Sequence, residues 1–172
     1  MKKTEDQVDD FKIRFAVEKD AATVLALIKE LAAYEKLADK VEANEQLVKE
    51  FLFQRKGAET IIGEYHGEPV AYALFFHNFS SFTARPGLFI EDIYVKPQMR
   101  RRGFGKALFG FLAKLAIERR CARMEWTCLD WNTPSIAFYK KMGAETMSDW
   151  TIYRLSGEEL DKASRENSKG IV

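Results

Sequence analysis

The sequence predicts an α/β domain built around a mixed sheet, and three observations point to this class. Apolar and polar residues alternate in short segments such as Phe11 to Val17, which is typical of half-buried strands. Other segments repeat apolar residues at helical spacing, as between Ala107 and Ile117. The two patterns follow one another in the order β-α-α-β-β-β-α-β-α-β over 172 residues, enough for one domain with a substantial core.

The first half of the chain is predicted to form a strand, two helices and a hairpin. Asp20 precedes the first helical pattern and is expected to cap that helix. The sequence His-Gly-Glu-Pro at 66–69 is typical of a turn and joins the two hairpin strands. The predicted elements are a strand over 11–17, a helix from Asp20 to about Tyr34–Glu35, a short helix after Asn44, and strands over 60–65 and 70–76.

The second half is predicted to alternate strands and helices. Pro134 stands at the start of a helical pattern, where proline is well tolerated. The predicted elements are a loop over 78–86, a strand over 88–95, a helix over 103–119, a strand over 123–129, a helix from Pro134 to about Gly143, a strand over 147–155 and a short helix from Gly157.

Composition narrows the classes of function. The chain is 47% hydrophobic and 31% charged with a net charge of +1, so no strong field favours nucleic acid or a membrane surface. No apolar run reaches the roughly 18 residues of a membrane span, and residues 1–10 lack the apolar core of a secretory signal. We expect a flexible segment over 1–10, a domain over 11–160 and a polar tail over 161–172. The spacing of the two cysteines, Cys121 and Cys128, is not that of a metal site. We expect them to be reduced, in a cytoplasmic protein.

A basic, glycine-containing segment at Arg100–Ala107 is the strongest chemical signal. It lies between a predicted strand and a predicted helix, so it places backbone N–H groups at a helix N-terminus, which binds phosphate. A P-loop is excluded because Ala107 replaces the required Ser or Thr. A dinucleotide fingerprint is excluded because Leu108 replaces the third glycine. The segment does match R-x-x-G-x-G, read from Arg100.

Further motifs extend this match over roughly residues 11–160. The spacing N-x-P-[SA]-x-x-x-Y is present from Asn132 to Tyr139. Together with R-x-x-G-x-G, this resembles the GNAT acetyltransferases and, within them, the spermidine/spermine (diamine) N-acetyltransferase subfamily. The segments 34–37 (YEKL), 91–95 (EDIYV) and 129–132 (LDWN) are most similar to its thialysine N-acetyltransferase branch.

The resemblance implies a fold and a co-substrate. The fold would be a mixed, mostly antiparallel central sheet flanked by helices, with strands that splay apart to bind acetyl-CoA. No metal is implied. The implied cofactor-binding residues are Ile93, Tyr94, Val95, Arg100, Arg101, Arg102, Gly103, Phe104, Gly105, Lys106, Ala107, Asn132, Ser135 and Tyr139.

The resemblance also implies roles in acetyl transfer to an amine. Glu91 would accept the amine proton, directly or through water, or anchor the cationic substrate, and a strand-edge salt bridge is its structural alternative. Tyr139 would protonate the leaving thiolate, and a core aromatic is its alternative. A backbone N–H near Ile93 would hold the oxyanion. The implied substrate-binding residues are Tyr34, Glu35, Glu91, Glu125, Trp126, Thr127 and Asp149, with Asp92 and Asp130 as further acidic candidates.

The expected function is acetyl-CoA-dependent N-acetylation of a small polyamine, diamine or thialysine-like amino acid. Two alternatives stay open: a protein N-acetyltransferase, and a non-catalytic coenzyme A-binding module. The resemblance further implies a homodimer that pairs through the predicted strand over 147–155. No nucleic-acid or membrane partner is expected.

Overall fold

The computed structural model describes residues 10–166. Residues 1–9 of the expected N-terminal segment and 167–172 of the expected tail lie outside the described residues. Within the described residues, 10–127 form one compact unit and 128–166 form a second. None of the described helices is both long enough and apolar enough to cross a membrane.

The first unit contains one five-stranded sheet in the order β1-β2-β3-β4-β5. The first four strands pair antiparallel, and β5 pairs parallel to β4, so the mixed, mostly antiparallel sheet predicted from the sequence is confirmed. Its elements are β1 Phe11–Phe15, α1 Ala21–Tyr34, α2 Glu45–Val48, β2 Glu59–Tyr65, β3 Glu68–Ser80, β4 Arg85–Val95, α3 Phe104–Glu118 and β5 Met124–Trp126.

Helices cover both faces of the sheet. On one face, Leu27 and Leu31 of α1 pack with Tyr72 of β3 and Tyr94 of β4. On the other face, α3 buries a stripe that includes Leu108 and Leu112, both fully inaccessible to solvent, and burial of each contributes about 2 kcal/mol. The ring of Phe104 at the start of α3 stacks on Phe11 of β1 at a centroid distance of 4.1 Å. Helix α1 thus packs against β3 and β4 through its apolar side chains, and α3 also contacts these two strands.

The second unit contains two helices, α4 Thr133–Lys141 and α5 Gly157–Glu166. The predicted strand over 147–155 is wrong: the segment between these helices has no regular structure. A strand needs a neighbour for its backbone groups, and the described part of this unit contains no strand. The apolar side chains of the segment are therefore left exposed, among them Trp150 at 72% and Tyr153 at 91%.

Three other predictions need correction in the first unit. The predicted loop over 78–86 is mostly strand, because β3 and β4 stay paired up to Ser80 and Arg85. The predicted strand over 123–129 is reduced to the three residues of β5. Asp20 precedes α1 but does not cap it, since its carboxylate accepts hydrogen bonds from the Arg14 guanidinium at 2.7 and 3.0 Å and from the Val17 N–H.

Candidate active site

The segment between β4 and α3 forms an open turn that ends at an uncapped helix N-terminus. Arg101 and Gly103 both adopt positive φ angles, 66° and 90°. Gly103 is the residue before α3, and no side chain caps the helix there. The first intrahelical bond runs from the Ala107 N–H to the Gly103 carbonyl, so the preceding first-turn N–H groups have no partner within the helix. A Cβ atom added at Gly103 would meet nothing within 4 Å, which leaves space for an anion beside these donors.

The four basic side chains of this turn have different surroundings. Arg100 donates from Nε to the Val95 carbonyl at 3.0 Å, and its guanidinium lies 4.3 Å from the centre of the Tyr34 ring. The Arg102 guanidinium lies 5.5 Å from the centre of the Tyr65 ring. Arg101 and Lys106 are exposed. Arg100 and Arg102 therefore lie against aromatic rings of the protein. The long side chains of Arg101 and Lys106 remain exposed near the N-terminus of the helix.

Strand β4 has an open edge next to this turn. Its pairing with β5 covers only Leu88 to Ile90. From Glu91 to Val95, no described strand of the first unit pairs with that edge. The predicted cofactor strand Ile93–Val95 thus presents an edge to which an extended chain can add.

Glu91 occupies a β-bulge at the point where the edge opens. The register pairs Phe75 with Ile90 and Leu74 with Asp92, so Glu91 has no opposite residue in β3. A bulge inserts one residue and redirects its side chain, and bulges are frequent beside active sites. The Glu91 side chain is exposed, and no ion pair of Glu91 is found among residues 10–166, so the salt-bridge alternative has no support there.

A pocket of about 170 Å³ lies beside the C-terminal end of α1, and we call it the α1 pocket. Two carboxylates, Glu35 and Asp92, share it with a mostly apolar wall and one lysine. Its lining residues are Ile28, Leu31, Ala32, Glu35, Leu37, Lys40, Val41 and Asp92. An apolar wall with a few polar groups is typical of a site for a small organic ligand.

The carboxylates of the α1 pocket hold protons more tightly than usual. Burial raises the pKa of Asp92 to about 6, with the charges of Glu91 and Glu35 adding to the effect. The Tyr72 hydroxyl donates to Asp92 Oδ2 at 2.8 Å and opposes this rise. Burial also raises the pKa of Glu35. A cationic ligand would reverse these shifts, because an adjacent positive charge favours the ionised carboxylate.

Three predicted substrate residues, Glu125 and Trp126 of β5 and Thr127 directly after it, do not line this pocket. Glu125 accepts hydrogen bonds from Asn78 Nδ2 and Arg123 Nε, each at 2.8 Å. The Trp126 ring packs edge-to-face on Phe109 with centroids 5.3 Å apart. Thr127 is exposed. The contacts of Glu125 and Trp126 therefore hold β5 in place.

The remaining predicted residues belong to the second unit. Asn132 is buried and caps α4, where its Oδ1 accepts from the Ser135 N–H at 3.4 Å. Tyr139 is half-buried in α4, and its ring packs on Phe138 with a centroid distance of 5.5 Å. Asp149 is exposed in the irregular segment that follows. The Asn132–Tyr139 motif is therefore a capped helix that carries the tyrosine in its second turn.

Glu35 is the one lining residue of the α1 pocket that was among the predicted substrate-binding residues, and the other two charged lining residues were not. Asp92 was named only as a further acidic candidate. Its position next to Glu91 in the sequence was the feature that could have identified it. Lys40 carried no signal in the sequence, because its link to the pocket depends on how the chain leaves α1. No group of three or more potential metal-ligand side chains is found between residues 10 and 166.

Comparisons with known proteins identify the family of the chain. The sequence model of the Acetyltransferase (GNAT) family matches residues 24–144. The chain is 33% identical over 160 residues to thialysine N-epsilon-acetyltransferase of Bos taurus, a match that covers 86% of this chain and 94% of that protein. It is 42% identical over 96 residues to L-ornithine N5-acetyltransferase NATA1 of Arabidopsis thaliana, where the match covers 56% of this chain and 42% of the relative.

A solved structure gives the same result for the fold. An integron cassette protein from the mobile metagenome of V. cholerae superposes with a TM-score of 0.78 at 25% identity, covering 91% of this chain and 98% of that one. The family match spans more than half of the chain and includes α1, the β4 bulge, the open turn before α3 and the capped helix α4. The resemblance read from the sequence is thus confirmed, and the chain belongs to the GNAT family of acetyltransferases.

Proposed function

We propose that the chain transfers the acetyl group of acetyl-CoA to a primary amine of a small polyamine, diamine or thialysine-like amino acid. One observation carries this choice of acceptor: the α1 pocket combines an apolar wall with two carboxylates, beside the bulge that presents Glu91. Aliphatic amines have a cationic end and a methylene chain, and these two features complement the pocket. The names of two relatives, which mention thialysine and L-ornithine, support the same class of acceptor.

The residues present fit acetyl-CoA. The uncapped N-terminus of α3 and the open space beside Gly103 suit a pyrophosphate, with Arg101 and Lys106 as the available charges. The open edge of β4 at 93–95 suits the extended pantetheine arm. We propose that Asn132 and Ser135 of α4 add contacts to the same molecule. When bound, acetyl-CoA supplies an activated thioester.

The chain must then perform three tasks. An aliphatic amine has a pKa of about 10, so a proton has to leave it before attack, and Glu91 accepts that proton directly or through one water. A backbone N–H near Ile93 stabilises the charge that develops on the acetyl oxygen. Tyr139 donates a proton to the departing sulfur, because its phenol hydroxyl is an O–H donor.

The α1 pocket also bears on the first alternative, a protein N-acetyltransferase. A volume of about 170 Å³ accommodates a small amine or a single side chain, so a peptide acceptor would have to lie mostly outside the pocket. The second alternative, a non-catalytic module, would not need an unpaired carboxylate at a bulge.

We further propose a homodimer joined through residues 147–155 and a cytoplasmic location. The exposed apolar side chains of that segment support the dimer, and the absence of a disulfide among the described cysteines is consistent with the location.

A thiol-release assay with acetyl-CoA tests the proposed function. The acceptors would be spermidine, spermine, putrescine, thialysine, lysine and a lysine-containing peptide. Saturable turnover of one small amine, with little turnover of the peptide, is the expected result. Preference for the peptide would support the protein acetyltransferase, and acetyl-CoA binding without turnover of any acceptor would support the non-catalytic module.

A further inference from the structure

The α1 pocket carries a positive charge as well as its two carboxylates. Lys40 lines it from the short turn that follows α1. Its ammonium lies 3.3 Å from Asp39, and the two side chains are 74% and 72% exposed. An ion pair this exposed contributes little stability. The Lys40 ammonium can therefore exchange Asp39 for an anionic group of a ligand at small cost.

The charges of the pocket differ in their setting. Asp92 is held by the Tyr72 hydroxyl in the packed part of the unit, and Glu35 is partly buried at the end of α1. Lys40 is exposed. Apolar side chains, including Leu31 and Val41, share the lining with these charges. The pocket thus has sheltered negative groups, an apolar wall and one exposed positive group.

This arrangement complements a ligand with an ammonium at one end and a carboxylate at the other. The side-chain ammonium of a diamino carboxylic acid would be held by Glu35 and Asp92, and its methylene groups would contact the apolar wall. Its α-carboxylate would accept from Lys40, while the adjacent Asp39 is available to its α-ammonium. A diamine of the same length carries the same second ammonium but lacks the carboxylate, so this ammonium would approach Lys40 and Asp39 without the attraction between Lys40 and a carboxylate.

We propose that Lys40 recognises the α-carboxylate of the acceptor and thereby selects diamino carboxylic acids over the corresponding diamines. This inference rests on the proposed function, since it assigns the acceptor class of the same site. Lys40 acts here as a specificity-determining residue and takes no part in acetyl transfer.

L-Ornithine and putrescine provide a matched pair of ligands, because they differ only by the carboxylate. Their dissociation constants would be measured by calorimetry on the full chain in the presence of coenzyme A, and their kcat/KM values by thiol release. The wild type is expected to favour L-ornithine. Lys40→Gln should weaken L-ornithine binding about fivefold and leave putrescine binding unchanged or slightly improved.

Lys114→Gln provides the matched control. Lys114 is 79% exposed, makes a weak ion pair with Glu118 at 3.8 Å and does not line the α1 pocket. Its replacement should leave both dissociation constants unchanged. Asp39→Asn provides a second variant at the site: it should retain the carboxylate contact of Lys40 and the preference over putrescine.

Three results would overturn the inference: a wild type that favours putrescine, no detectable binding of L-ornithine, or an equal loss of both ligands in Lys40→Gln. The proposed function can fail separately. Acetylation of putrescine without binding of L-ornithine removes the inference and keeps the function. Lys40-dependent binding of L-ornithine without release of thiol keeps the inference as a binding preference and removes the function.

Discussion

Asp92 illustrates how one side chain in this site is controlled by its surroundings. It lies in β4 one residue after the bulge, and the Tyr72 hydroxyl fixes one of its oxygens. Burial raises its pKa to about 6, well above the ordinary value of 3.8. The folded chain therefore holds a proton at Asp92 more tightly than the unfolded chain does. A cationic ligand can bind most strongly when this proton has left.

The raised pKa of Asp92 predicts a pH-dependent stability. The contribution of Asp92 is fully present below about pH 4 and is lost as the pH rises through about 6. Asp92→Asn keeps an oxygen for Tyr72 but cannot ionise. Its unfolding free energy, relative to that of the wild type, should increase between pH 4 and pH 7.5 by at most about 3 kcal/mol. Denaturant unfolding at several pH values measures this, and parallel pH curves for the two proteins would contradict it.

Tyr139 is the residue from which we expect the clearest kinetic effect. Tyr139→Phe removes only the hydroxyl, so the packing of the ring on Phe138 is retained. We predict a fall in kcat of about a hundredfold with little change in acetyl-CoA affinity, because the proton donor to the thiolate is lost. Tyr153→Phe is the control for loss of a phenol hydroxyl, since Tyr153 lies outside α4 and the variant keeps its ring for the proposed pairing of residues 147–155. Equal kcat values in Tyr139→Phe and the wild type would exclude the proposed proton transfer.

At this scale the sequence identified the types of residue better than their surroundings. Glu91 and Asp92 are adjacent carboxylates in the sequence, yet one is exposed at a bulge and the other is hydrogen-bonded to a tyrosine twenty positions away. The Asp20 prediction was wrong for a similar reason. Its carboxylate bonds Arg14, a partner set by tertiary packing, instead of the N–H groups of the following helix.

Among the elements, α3 has the most direct part in the proposed function. Its N-terminus supplies unpaired N–H donors and the positive end of the helix dipole, and Gly103 provides the positive φ that opens the turn. Its buried stripe holds it against β3 and β4. The same helix therefore fixes the sheet and presents the proposed phosphate site.

Two glycines associated with α3 allow a paired test. Gly103 has a φ of 90°, whereas Gly110 lies inside the helix, and a Cβ added at either residue meets nothing within 4 Å. Gly103→Ala should destabilise the protein by about 1 kcal/mol through backbone strain and weaken acetyl-CoA binding. Gly110→Ala should stabilise it by about 0.5–1 kcal/mol and leave binding unchanged. Thermal unfolding and calorimetry measure both effects; tighter acetyl-CoA binding by Gly103→Ala would contradict the proposed site.

Helices and strands were predicted accurately where residues near in sequence determine them, and less accurately where distant residues do. Helix α3 was predicted within a residue at each end, because its apolar spacing is a local pattern. Asn78 and Ser80 are poor strand formers, yet they lie in β3 because pairing with Gly87 and Arg85 extends the hairpin. A local sequence pattern cannot predict pairing with residues further along the chain.

For the molecule as a whole, residues 147–155 are the segment through which we propose that two copies pair. Their alternating apolar side chains predicted a strand, and the described chain offers no strand to pair with them in the second unit. A strand pattern without a partner in its own unit is explained if the partner is supplied by another copy. The fold class could be predicted from local sequence patterns. The conformation of residues 147–155 could not, because it depends on the chain segment that lies beside them.

The proposed homodimer predicts a sedimentation result. The wild type should sediment as a dimer at micromolar concentration. Trp150→Asp together with Ile152→Asp should shift it towards a monomer, because these side chains are 72% and 71% exposed in the single chain and would be buried on pairing. Leu160→Asp, at an exposed position in α5, serves as the control. A monomeric wild type would contradict the prediction.

The central claim is that the carboxylates of the α1 pocket hold the acceptor amine while a separate part of the chain holds acetyl-CoA. Steady-state thiol release and acetyl-CoA binding of Glu35→Gln test it most directly, with Glu42→Gln as a control on the same loop outside the pocket. We predict an amine KM about tenfold higher in Glu35→Gln, an unchanged acetyl-CoA dissociation constant, and wild-type values for Glu42→Gln. An unchanged amine KM in Glu35→Gln, or a loss of acetyl-CoA binding with it, would contradict the account.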